Sequence, residues 1–203
     1  RFGSITSWLV DVLNILSGNL DQPGGAMFPC GVVPSLILND TYEGDQPPYA
    51  KFRSRVKNLP EIGGILPAVA LAEEIMTPGE GQIRGLFTVT GNPVSSIPNT
   101  ERTASALATL DLMVSIDVYV NETTRFADFI LPTPTAVRDA AFPLFSVPYM
   151  VRNYAKYAPP ALELEQGTLH GWEILLNLAA GISGTDPMDL EEIVVNELLE
   201  KHM

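Results

Sequence analysis

The residues with the most chemical potential lie in the stretch VTGNPVSSIPN, Val89 to Asn99, which follows an apolar run. Parallel sheets expose unpaired N–H groups at the carboxyl ends of their strands, and ligands bind there. In such a position Thr90 and Gly91 would bring backbone close to a ligand, while Asn92 and Pro93 fix the turn. The same four residues also suit an ordinary strand-to-helix turn. A second apolar run ends in Ser115-Ile116-Asp117. A carboxylate at that level can accept hydrogen bonds from a ribose or from a guanine ring edge. It can equally cap a helix or face solvent. Asn121-Glu122-Thr123-Thr124 follows, with hydroxyls and N–H groups suited to phosphate, although Asn121 also suits a helix cap. The candidate binding set is therefore Thr90, Gly91, Asn92, Pro93, Asp117, Asn121, Glu122 and Thr123.

The remaining reactive residues form no constellation. The pyrophosphate fingerprint GxGxxG does not occur where a strand meets a helix, and GxxxxGK[ST] and HExxH are both missing. His170 and His202 stand apart from any metal partner, and His170 before Gly171-Trp172 reads as a surface or capping residue. Cys30 is the sole cysteine, so an intramolecular disulfide and any cluster built on several cysteines of this chain are excluded. Its Pro- and Gly-rich setting offers no base or orienting group, which favours an inert thiol. Glu73-Glu74, Glu191-Glu192 and Glu197 read as solvated helix faces. No catalytic residue and no metal ligand is assigned.

The elements that must position the candidate set follow from apolar spacing. Ile5, Trp8, Leu9, Val12, Leu13 and Leu16 predict a first helix, with Ser4 as a cap and Gly18 as a left-handed terminator. Ser17 to Pro34 reads as an extended loop, and the chain is expected to stay irregular up to Pro60, with an excursion over about 31–60. A helix is predicted over Gly64–Met76, with Pro67 in its first turn. Then come a strand at Ile83–Val89, a short helix at Thr103–Leu110, a strand at Asp111–Asp117, a short helical segment at Asn121–Asp128 and a strand at Phe129–Pro132. Strands alternating with helices through short joins imply parallel pairing and right-handed crossovers. Pro148 to Tyr157 includes a candidate edge strand. Two helices close the chain. One spans Thr168–Ala180, with Trp172, Leu175, Leu176 and Ala179 on one face and Gly181 as its stop; the other spans Leu190–Leu199, begun near Asp186 or Asp189. Lys201-His202-Met203 is expected to fray.

Composition sets the outer bounds. The 203 residues are 46% hydrophobic and only 18% charged, which excludes a disordered chain, and 16 Gly with 17 Pro imply many loops. Twelve basic against 24 acidic residues give a formal charge of −12, which repels a phosphate backbone and argues against free nucleic acid as a partner. No apolar run approaches the roughly 18 residues a bilayer span needs, so direct membrane insertion is not expected. The compartment stays open, with the cytoplasm favoured. The sequence opens on Arg1 and enters a periodic pattern at once, which suggests a segment of a longer chain.

Three stretches in order carry a family resemblance. LNILSGNLDQPGGAMF (Leu13–Phe28), GLFTVTGNPVSSIPN (Gly85–Asn99) and LDLMVSIDVYVNETTRFADFILPTPT (Leu110–Thr135) together resemble the large subunits of molybdopterin oxidoreductases, which include formate dehydrogenases and nitrate reductases. Two departures stand out: Arg138 occupies a place that is often acidic in the family, and Ala140-Ala141-Phe142-Pro143 replaces a glycine-rich stretch.

The resemblance implies a three-layer, Rossmann-like α/β domain with a mostly parallel sheet flanked by helices. It also implies one domain over 1–203, with its core at about 61–135 and a helical part at about 161–203. It implies further that the candidate set lines the guanosine and phosphate part of a bis(molybdopterin guanine dinucleotide) cofactor carrying molybdenum or tungsten. An iron–sulfur cluster would lie outside this segment. The partners implied are other domains of the parent chain and electron-transfer subunits, and the segment alone is expected to be inactive. Two rivals stand beside this reading: a free-standing nucleotide-binding module, and a domain that only mediates packing. The packing reading expects Gly91, Asn92 and Asp117 to be scattered, whereas a binding role expects them to converge.

Overall fold

A computed structural model describes residues 2–27, 49–143, 146–147, 150, 152 and 154–202. The chain divides into two compact units, one made of residues 1–42 and 142–157, the other of 43–141 and 158–203.

In the first unit, helix α1 spans Gly3–Leu16 and none of its residues is buried. Ser4 is not its cap: the helix begins two residues earlier than that cap implies, with Phe2 at the cap position and no side-chain hydrogen bond there. Gly18 does take the left-handed conformation (φ +70°) that ends the helix. The following loop folds back on itself. Asn19 N–H donates to the Asn14 carbonyl (2.8 Å) and Ala26 N–H donates to the Asn19 carbonyl (2.9 Å). A Cβ on Gly25 would collide with that same Asn19 carbonyl oxygen, so backbone contact, not flexibility, dictates glycine here. Cys30 lies outside the described residues, as do Pro148, Tyr149, Val151 and Asn153 of the candidate edge strand; the described residues of that segment, Met150, Arg152 and 154–157, carry no strand.

The second unit opens with an antiparallel pair, β1 (Tyr49–Arg53) and β2 (Pro60–Ile62), where an irregular chain was expected. Gly63 and Gly64, both at positive φ, turn the chain sharply after β2. The predicted helix over Gly64–Met76 is accordingly shorter. Pro67 is extended (ψ 124°) and precedes a 3-10 turn at Ala68–Ala70, which leads into α2 (Leu71–Met76).

Three parallel strands follow, β3 (Gly85–Val89), β4 (Leu112–Ile116) and β5 (Phe129–Leu131), in the spatial order β3-β4-β5. Their register sets Val89 beside Ile116, and Ile116 beside Leu131, so all three carboxyl ends lie level. The β3–β4 connection holds a one-turn helix α3 (Pro93–Ser96) and α4 (Thr100–Leu107), three residues upstream of its predicted start. Asn99 caps α4 from a left-handed conformation (φ +69°), its side chain accepting from Arg102 N–H (3.3 Å). Between β4 and β5 the helical content is a single 3-10 turn, Thr124–Phe126. Ala72, Ile75, Val94, Ala106, Leu107 and Met113 form the buried core on one face of the sheet, with Leu86, Phe126 and Ala127 packed against it.

Two helices complete the unit: α5 (Gly171–Ser183) and α6 (Pro187–His202). His170 caps α5 as expected, its N–H donating to the Glu173 carboxylate (2.6 Å). The helix runs past Gly181 to Ser183 and is stopped by Gly184 (φ +72°). Its buried residues are Ile174 and Ala180, while Trp172 and Leu175 are exposed, so the predicted buried face is rotated. Asp186 accepts from Met188 N–H (2.9 Å) at the start of α6, which continues to His202, three residues past its predicted end at Leu199. Ile174 and Leu178 line an apolar groove with Leu131 and Pro132, placing α5 beside the end of β5. The unit is thus an α/β domain with a parallel sheet flanked by helices, consistent with a Rossmann-like arrangement. Among the described residues no helix is long and apolar enough to cross a membrane.

Candidate functional site

The eight predicted residues converge. Thr90, Gly91, Asn92 and Pro93 leave the carboxyl end of β3, and Asp117 leaves that of the adjacent strand β4. Asn121, Glu122 and Thr123 return over the same edge. Asn92 is the hub: its side-chain N–H donates to Glu122 Oε2 (2.8 Å), and its Oδ1 accepts from the Thr123 hydroxyl (2.6 Å). Thr123 has no exposed surface, and its oxygen also accepts from Val94 N–H (3.0 Å). One hydroxyl thereby ties the turn after β3 to the loop after β4.

The second loop is built the same way. Asp117 is buried, with Oδ1 accepting from Tyr119 N–H (3.1 Å) and Oδ2 from the Asn121 amide (3.3 Å). Asn121 Oδ1 accepts from the N–H groups of Thr123 (2.9 Å) and Thr124 (3.0 Å), an Asx turn that opens the 3-10 segment. The buried Thr124 hydroxyl donates to the Tyr119 carbonyl (2.9 Å) and accepts from Asn121 N–H (2.7 Å). Asn121 and Thr124 therefore act as scaffold, holding the carboxylate and backbone in place.

Two members of the set depart from routine geometry. Thr90 sits at φ +47°, a left-handed conformation that a β-branched residue rarely adopts, while its N–H still donates to the Ile116 carbonyl (2.9 Å). Such a conformation costs about 1–3 kcal/mol and tends to be kept where a loop must point in one direction. Gly91 is the converse case. A Cβ there would meet only ordinary contacts, 3.7 Å from the Val89 carbonyl oxygen, so nothing inside the fold demands glycine. Glu122 is the exposed acid of the group. The Asn92 amide holds its carboxyl below the usual range, helped by its own backbone N–H, Ser95 and the nearby Arg125 charge, against a smaller opposing effect of burial.

A different acidic cluster departs from its sequence expectation. Glu73 and Glu74 are not solvated; both are buried on α2, and Glu61 on β2 is fully buried. Glu74 accepts from Val56 N–H (2.9 Å) and pairs with Arg55 (3.4 Å), whose guanidinium also donates to the carbonyls of Glu74 and Thr77. Glu73 Oε1 pairs with Lys57 and with Arg102 (3.2 Å), while its Oε2 has no hydrogen-bond partner among the described residues. Arg138 serves a local structural purpose, donating to the Glu163 carbonyl and pairing with Glu165 (3.0 Å). Asp139 pairs with His170 Nδ1 (3.1 Å). Among the described residues no group of three or more His, Cys, Asp or Glu is arranged to hold a metal ion.

A parallel α/β sheet with polar loops gathered at its carboxyl edge places this unit in the class of open α/β domains, whose ligands bind at that edge. Within that class, comparison is specific: residues 1–140 match the molybdopterin oxidoreductase family, and the chain belongs to it. The chain is 25% identical over 161 residues to the probable oxidoreductase YyaE of Bacillus subtilis, covering 79% of this chain and 22% of that protein. It is 32% identical over 103 residues to the assimilatory nitrate reductase catalytic subunit of the same organism, covering 51% and 14%. It is 24% identical over 199 residues to the NADPH-Fe(3+) oxidoreductase subunit alpha of Geobacter sulfurreducens, covering 94% and 22%. The chain thus spans about a fifth or less of the length of these relatives.

Proposed function

We propose that this chain is the segment of a larger molybdopterin-dependent oxidoreductase that holds one guanine dinucleotide arm of a bis(molybdopterin guanine dinucleotide) cofactor. Convergence of the turn at 90–93 and the loop at 117–124 on one sheet edge carries the proposal. It favours binding over a role in packing alone. The donors and acceptors present suit a nucleoside: carboxylates for N–H or hydroxyl donors at Asp117 and Glu122, and bare backbone at Gly91. When bound, the molybdenum or tungsten of that cofactor supplies two-electron redox chemistry. This chain's own residues bind and orient the nucleotide end. The metal ligand and any iron–sulfur cluster lie in other parts of the enzyme, the partners are those other domains and electron-transfer subunits, and the cytoplasm is the favoured compartment.

Gly91→Ala in the full-length protein tests this. The fold has room for a Cβ there, so the stability read from urea unfolding should move by less than about 0.5 kcal/mol. Guanine nucleotide released from the purified protein by acid should fall about tenfold or more, the effect of about 1.4 kcal/mol of lost contact. Unchanged nucleotide content would sink the assignment of this edge.

A further inference from the structure

We propose that Tyr119 is the stacking platform for the base of the nucleotide bound at this edge; the inference rests on the nucleotide-binding reading and adds a residue to it. Tyr119 lies two positions after Asp117 and is 71% exposed, beside Val120 at 77%. Exposure of one aromatic is unremarkable by itself. Here the backbone beneath it is fixed from both sides. Its N–H is bound to the Asp117 carboxylate and its carbonyl accepts from the fully buried Thr124 hydroxyl. The ring therefore stays outside because the turn holds it there.

A turn that holds an exposed planar ring at the carboxyl edge of the sheet offers one π-face to a planar base. Stacking is indifferent to which purine is bound, so Tyr119 supplies retention and not the choice of base.

The test uses the full-length protein with Tyr119→Phe, Tyr119→Leu and Tyr119→Ala, reading guanine nucleotide retained after prolonged dialysis and then released by acid. Tyr119→Phe keeps the ring and should retain the wild-type amount. Tyr119→Leu and Tyr119→Ala should lose nucleotide about tenfold or more faster, as expected for loss of one base–aromatic stack. Because the ring is exposed, thermal midpoints of the nucleotide-free forms should agree among all four proteins. If Leu retains as well as Tyr, the side chain is covered by protein and not by a base, and the stacking assignment fails while the nucleotide reading stands. Full retention by the Ala variant would overturn the stacking assignment in the same way. A wild-type protein free of guanine nucleotide would overturn both.

Discussion

The carboxyl edge of the sheet and the hairpin–α2 junction are both rich in polar side chains, and they solve opposite problems. At the edge, short side chains satisfy one another: Asn92, Asp117, Asn121, Thr123 and Thr124 each make at least two hydrogen bonds within two loops. At the junction, buried Glu73 and Glu74 rely on long cations reaching from elsewhere, and among the described residues Glu61 Oε1 and Glu73 Oε2 have no hydrogen-bond partner. A closed network of neutral groups and short acids fixes loop direction, which a ligand site needs. A carboxylate buried against Arg and Lys ties separate elements together, and removing one partner leaves a charge stranded.

The sharpest way to break the comparison is at the junction. Arg55→Ala should destabilise the protein by about 3 kcal/mol, read from urea unfolding, because it strands Glu74 and two carbonyls together. A change under about 1 kcal/mol would class this pair with surface ion pairs. At the edge, Thr123→Val keeps the shape but removes the oxygen shared by Val94 N–H and Asn92, and should cost about 2 kcal/mol by the same measurement. Equal losses from the two variants would erase the distinction between closed and stranded networks.

The smallest effect concerns pH. The Glu122 carboxyl is held below its ordinary value, so the folded state gains stability from it above the unfolded value of about 4.3 and loses that gain as pH falls through the lower folded value. Following the side-chain carboxyl by NMR, Asn92→Ala should bring its titration back up toward the ordinary range. A midpoint that stays put would remove Asn92 as the cause.

Much of this architecture is legible in the sequence because it rests on local patterns. Ile83–Val89 and Asp111–Asp117 read as apolar strands, and the residues just beyond each must share an edge once the strands pair in parallel. The motif Ser17-Gly18-Asn19 with Pro23-Gly24-Gly25 is legible as a pattern, but its reason, Gly25 seated on the Asn19 carbonyl, is visible only in three dimensions. The acids on α2 escape sequence reasoning for a different reason. Helical spacing treats Glu as solvent-facing, and their partners Arg55 and Lys57 lie on a hairpin turn some 16 to 19 residues away, beyond any local window. Tyr119 gives no signal in the sequence because its exposure depends on hydrogen bonds under the turn, not on its own type.

The order β3-β4-β5 carries one further consequence. Strands laid down in chain order through right-handed crossovers place their connections on a single face, as Val94, Ala106, Leu107 and Phe126 show by packing together over Met113. Such a run contains no reversal of winding direction, the place where a doubly wound sheet splits two loops apart into a crevice. The loops after β3 and β4 can therefore close on each other through Asn92, Glu122 and Thr123. A ligand at this edge meets two loops already tied to each other, so neither loop has to be ordered when it binds.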